Sequence, residues 1–150
     1  MVVNDKGWAP LVPEFICENL ARSQHFYCDL IGFSVRFARP EDGFVYLDLD
    51  GAQLMLEERH AECWITGPLH APFGRGLNLQ IEVADIAAIL GRLEAAGIRP
   101  FREASEAWYR DGDIEHGQIE VLVQDPDGYL LRFVEVTGTR PASVIEDKHG

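Results

Sequence analysis

The chain spells one order of apolar runs twice. An alternating run, a helix-like segment opened by a capping side chain and stopped by glycine, and strand-like runs ending at an acidic turn occur in the first half and again in the second. In the first copy Leu11 to Glu18 leads into Asn19, with Leu20, Phe26, Tyr27 and Leu30 at helical spacing before Gly32. In the second, Leu77 to Ala84 leads into Asp85, with Ile86, Ile89, Leu90 and Leu93 on one face before Gly97. The caps make physical sense, because an Asn or Asp oxygen accepts an otherwise orphaned N–H of the first helical turn and glycine takes the positive φ that ends the helix. A chain repeated in this way folds as two like modules that share a core.

Strand material follows each helix: Phe33 to Phe37, Gly43 to Leu49 and Ala52 to Glu57 in the first copy, then Ile98 to Phe101, Ile119 to Gln124 and Tyr129 to Val136 in the second. The last hairpins carry matching turns, Asp48-Leu49-Asp50-Gly51 and Asp125-Pro126-Asp127-Gly128, which suit a type I turn with Asp first and Gly fourth. The second copy is longer between Phe101 and Ile119. This polar stretch, Arg102 to Gln118, with its adjacent Trp108 and Tyr109, reads as a long binding loop. The expected organisation is one α+β domain of two tandem β-α-β-β-β modules forming a curved mixed sheet. Module one covers about 10–58, a turn-rich linker 59–76, module two 77–136, and a polar, frayed tail 137–150.

Composition narrows the function. With 13 Lys+Arg against 25 Asp+Glu the formal net charge is −12, which opposes phosphate backbones and favours cationic ligands, so no nucleic-acid partner is expected. No apolar run approaches the ~20 residues of a membrane span, and the first residues lack a basic head followed by an apolar stretch, so no membrane partner is expected and the expected setting is the cytoplasm. The three cysteines, Cys17, Cys28 and Cys63, form no C-x-x-C pair and read as buried or idle thiols. Neither a nucleophile elbow, a dinucleotide fingerprint nor a phosphate-binding loop is present. His25 reads as a partly buried helix residue, His60 and His70 as solvated linker residues, and Glu57 as inward beside an outward Glu58.

A helix carrying Phe26-Tyr27 with Gly32-Phe33, followed by a D-P-D-G hairpin in a twice-written β-α-β-β-β pattern, resembles the vicinal-oxygen-chelate superfamily over about residues 10–136. The phrases Val12-Pro13-x-Phe15, Gly51 to Glu57 and Asp125 to Phe133 look most like the bleomycin-resistance proteins. The resemblance implies that an enzyme of this superfamily holds a divalent metal at four slots, seven residues before each helix cap and four after each turn glycine. Those slots carry Val12, Asn78, Met55 and Arg132 here. An aliphatic chain, a neutral amide, a thioether and a guanidinium do not make a site for a hard divalent cation, so no metal and no cofactor are expected.

What the resemblance then implies is a homodimer that sequesters a bleomycin-class glycopeptide, or a similar cationic aromatic small molecule, without altering it. Such a ligand needs aromatic faces for its rings and carboxylates for its cation. The candidates are Phe37, Phe44 and Tyr46 on neighbouring strands, Trp64 in the linker, Trp108 and Tyr109 in the long loop with Asp111, Asp113 and Glu115 beside them, and Asn78, Gln80 and Arg132 near the former metal position. Trp8, Pro10 and Pro13 suggest an extended N-terminal arm that the resemblance allows to exchange between subunits. The alternatives are a metal-dependent enzyme of the glyoxalase or ring-cleaving dioxygenase kind, or a binder of another small molecule.

Overall fold

A computed structural model describes residues 7–143. Each sequence repeat becomes a four-stranded mixed sheet with its helix, so the modules form two separate sheets rather than one. In module one, β1 (Glu14–Cys17), β2 (Ser34–Arg39), β3 (Phe44–Leu49) and β4 (Ala52–Glu58) lie in the order β1-β4-β3-β2; in module two, β5 (Asn78–Glu82), β6 (Arg102–Asp111), β7 (Ile114–Gln124) and β8 (Leu130–Pro141) lie in the order β5-β8-β7-β6. The first strand of each module pairs in parallel with the last, and the other pairings are antiparallel.

Both helices begin where the caps predict. The Asn19 oxygen accepts from Arg22 N–H at 2.9 Å, and the Asp85 oxygen from Ala88 N–H at 3.0 Å. Helix α2 spans Ile86–Ala95 and buries Ile86, Ile89 and Leu93. The first helix is α-helical only over Leu20–Gln24 (α1) and widens to a π-helix over His25–Ile31, where Gly32 N–H reaches back five residues to the Tyr27 carbonyl at 3.0 Å. The wider turn lets Phe26, Tyr27, Leu30 and Ile31 all face the core, and leaves His25 exposed beside Asp29 rather than partly buried. Gly32 (φ 116) and Gly97 (φ 74) supply the left-handed stops.

One core serves both modules. Phe15, Tyr27, Leu47 and Leu56 from the first pack in the same cluster as Ile81, Leu93, Val121 and Phe133 from the second. The D-P-D-G turn joins them. Asp127 accepts from Glu18 N–H, the Arg22 guanidinium and the Ser23 hydroxyl, Asp125 accepts from the buried Tyr27 hydroxyl, and Tyr129 stacks on Phe15 at 4.2 Å while donating to the Ile16 carbonyl. The matching turn of module one differs: Leu49 pairs with Ala52, so only Asp50 (φ 50) and Gly51 (φ 95) turn the chain, which is a type I′ rather than a type I turn.

Two expectations about module two are corrected. Residues 102–118 are no loop: they form β6 and the first part of β7, joined by the two residues Gly112 (φ 60) and Asp113. β6 carries little apolar alternation because it is exposed over most of its length, yet a Gly-Asp turn between residues paired as Asp111 and Ile114 is a hairpin signal. In turn, the segment 98–101 is not a strand, and β8 continues through the supposed tail to Pro141, because β7 offers it a partner as far as Ile114. Residues 144–150 of that tail lie outside the described residues.

Candidate functional site

Strand register decides which side chains share a face. In module one Val45, Leu47, Leu54 and Leu56 enter the core, so alternation puts Phe44, Tyr46, Met55 and Glu57 on the opposite face. Phe37 joins them opposite Tyr46, and the two rings stack at 5.1 Å; Phe44 lies 5.8 Å from Phe37 with Arg39 over its ring at 4.1 Å. The three aromatics therefore come together as expected. Phe44 and Tyr46 are nonetheless buried: Arg39 covers the Phe44 ring, and Trp8 meets Tyr46 edge-on at 5.1 Å and Phe37 at 5.8 Å, with the Arg36 guanidinium 4.2 Å from the Trp8 ring. The short N-terminal segment from Gly7 thus lies against its own sheet, held where the Gln53 amide bonds Gly7 and Ala9.

At the far end of this face a cleft of about 700 Å³ opens between Phe44, Arg39 and Trp64. Acidic Glu14, Glu41, Asp42, Glu57, Glu58 and Glu62 share its lining with Arg39 and Arg59; burial, then a hydrogen bond and charge from Glu57, push the Glu14 carboxyl up. Trp64 is 92% exposed at the rim. His60 is not a loosely solvated linker residue. Its Nε2 lies 2.6 Å from Glu57 Oε1, and its Nδ1 accepts from Glu62 N–H at 3.1 Å.

Module two gathers a different group. Gln80 pairs with Arg132 and Asn78 with Leu130, and Arg132, Asn78 and Tyr109 line a pocket of about 180 Å³ with Glu120. The Tyr109 hydroxyl donates to the Glu120 carboxylate at 2.8 and 2.9 Å, Gln118 adds a third bond, and Arg132 stands 3.8 Å away. Burial alone would raise the Glu120 carboxyl; the hydrogen bonds from Gln118 and Tyr109 and the nearby arginines outweigh it and hold the group below its usual range. Tyr109 in turn is pushed up, first by that hydrogen bond.

The remaining candidates are dispersed. Trp108 and Tyr109 are neighbours on one strand and so face opposite sides; Trp108 lies against Gly117 and under Arg140 at 4.0 Å, away from Tyr109 and Arg132. Asp111 pairs with His116 at 2.9 Å near the hairpin tip, and Asp113 sits in the turn itself. Glu115 is no part of an open acidic patch. It is buried against Ser143 and Arg140, whose hydrogen bonds, that of the Ser143 backbone first, lower its carboxyl pKa.

The former metal slots show the same misfit in three dimensions as in sequence. Met55 lies between Tyr46 and Glu14 on the pairing map of module one, and Arg132 brings a guanidinium whose Nε is buried without a hydrogen-bond partner. A cation at that position would meet a thioether or a like charge, so these residues do not fit a divalent metal.

Two linked β-α-β-β-β modules with a polar cleft on each outer sheet face define an α+β tandem-module fold. The chain belongs to the glyoxalase/bleomycin resistance protein/dioxygenase superfamily, whose family model matches residues 13–133. A member of that superfamily from Vibrio splendidus is 35% identical over 82% of this chain and 94% of its own, with a TM-score of 0.39, so sequence rather than superposition carries that kinship. A virulence protein from Salmonella typhimurium shares 16% identity over 90% of this chain and 98% of its own at TM-score 0.61. A lactoylglutathione lyase from Agrobacterium tumefaciens shares 21% over 85% and 92% at 0.54; both likenesses are of fold. No protein of curated function matches the chain.

Proposed function

We propose that this protein is a non-catalytic binder that sequesters a cationic, aromatic small molecule of the bleomycin class, acting in the cytoplasm as a homodimer. The observation that carries the reading is the module-one cleft, which the exposed Trp64 and Phe44 line together with the carboxyls of Glu14 and Glu57. Planar rings stack on such surfaces and a cationic tail is drawn to the acid pair, an attraction that the net charge of −12 reinforces at long range. The identity of Val12, Asn78, Met55 and Arg132 at the superfamily's metal slots supports binding without chemistry. No residue then needs a catalytic role, and protection is stoichiometric.

The reading is tested by incubating drug with protein at ratios from drug excess to protein excess, denaturing the complex and weighing the drug by mass spectrometry. Sequestration returns the drug at unchanged mass while its DNA-cleaving activity is suppressed in proportion to protein. A modified drug, or turnover beyond one molecule per subunit, overturns it in favour of an enzyme.

A further inference from the structure

Just beyond β4 the chain folds back so that three different donor groups converge. Glu57 is the penultimate residue of the strand, and His60 and Cys63 follow at three-residue intervals in the turn, so one local loop presents a carboxylate, an imidazole and a thiol together. Their donor atoms all lie within 4.8 Å of one another. The turn is held by its own backbone: Cys63 N–H bonds the His60 carbonyl at 3.4 Å, and Cys63 Sγ accepts from His60 N–H at 3.2 Å. Arg59 N–H bonds the Cys17 carbonyl at 2.8 Å, which ties the loop to the edge of the sheet.

We infer that Glu57, His60 and Cys63 form a site for a divalent metal of the zinc class, distinct in place and ligands from the superfamily's four slots, with its fourth position open to the module-one cleft. The donor set selects the metal. One thiolate, one imidazole and one carboxylate suit a borderline ion such as Zn²⁺ or Co²⁺, and exclude Ca²⁺ and Mg²⁺, which demand oxygen. The distances need a modest adjustment. Zinc holds sulfur at about 2.3 Å and nitrogen or oxygen at about 2.0–2.2 Å, so tetrahedral donors stand roughly 3.3–3.7 Å apart. The 2.6 Å His60–Glu57 contact opens by about one ångström, the wider separations close by a similar amount, and the exposed loop allows both.

Binding replaces hydrogen bonds with coordination in a balanced way. The Cys63 thiol loses its proton to solvent as sulfur ligates, and the imidazole binds as the neutral ring, giving up its contact with Glu57. Glu14 lines the same cleft as Glu57 and His60. The inference does not rest on the drug-binding reading, since it concerns the metal alone.

The test is a titration of the reduced, full-length protein with Co²⁺, following absorbance. A Co²⁺–thiolate charge-transfer band in the near ultraviolet, saturating at one equivalent and bleached by one equivalent of Zn²⁺, is expected. Cys63→Ser abolishes the band, His60→Ala weakens Co²⁺ binding at least tenfold, and both variants keep the wild-type circular dichroism, because the loop lies outside the core. A missing band, or a band that survives Cys63→Ser or is unchanged in affinity in His60→Ala, overturns the site. Run on chelator-treated protein, the drug-mass experiment is independent of the metal, so failure of one reading leaves the other to be judged separately.

Discussion

The Tyr27 hydroxyl donates to the Asp125 carboxylate at 2.7 Å, across 98 residues of sequence and from one module into the other. Burial raises the Asp125 carboxyl from its usual 3.8 to about 6, even though Tyr27 and the Tyr129 and Asp127 N–H groups oppose the shift. The folded state thus keeps a proton that the unfolded chain releases. Its contribution to stability is greatest below about pH 4, falls as pH rises towards about 6, and is level above; two pH units correspond to about 3 kcal/mol. Asp125→Asn keeps the shape and removes the titration. Urea unfolding at half-unit steps should show the wild type losing stability relative to this variant between pH 4 and 6, whereas parallel profiles would refute the linkage.

Asp127 holds three donors from module one while its own side chain is almost wholly buried. Asp127→Ala leaves the Glu18 N–H, the Arg22 guanidinium and the Ser23 hydroxyl without that acceptor. The expected loss is about 2–4 kcal/mol, read as a fall in the urea midpoint, and a loss below about 0.5 kcal/mol would show that the turn is not what joins the modules.

Gly117 is required by a close approach, since a Cβ there would stand 2.5 Å from the Trp108 ring and 2.6 Å from the Thr137 hydroxyl. Gly117→Ala should cost about 1–3 kcal/mol and shift the tryptophan emission as Trp108 leaves its place under Arg140. An unchanged spectrum would mean that the hairpin gives way instead.

Trp64 separates binding from folding. Because it is 92% exposed, Trp64→Ala should change stability by less than about 0.5 kcal/mol. The same change should weaken the drug at least tenfold, about 1.4 kcal/mol, in a competition assay. Equal affinity would remove the cleft from the binding site.

Much of the fold was legible because it rests on local chemistry repeated twice. Asn19 and Asp85 cap their helices through their own side chains, Gly32 and Gly97 end them, and the buried alternation of β3 and β4 fixes which aromatics share a face. The β6–β7 hairpin was hidden because β6 is exposed over most of its length and so lacks an apolar period, although Gly112-Asp113 marked its turn. Illegible in principle was the wiring between modules. Nothing near Asp127 in sequence announces Glu18, Arg22 and Ser23 as its partners, just as nothing near Trp8 announces Phe37 and Tyr46. Of the candidate site, Phe37, Phe44 and Tyr46 came together, and so did Asn78, Tyr109 and Arg132. Trp108 parted from Tyr109 because adjacent strand residues point apart. Glu14, Glu57, His60 and Cys63 were missed as site residues because they gain their meaning only from being brought together in space.

The measurement that bears most directly on the central claim is a calorimetric titration of chelator-treated protein with bleomycin, metal-free and copper-loaded in parallel. Sequestration predicts sub-micromolar binding, about −8 kcal/mol or better, at one drug per subunit. Absence of heat with both forms at high concentration would contradict the account and leave the cleft to another ligand.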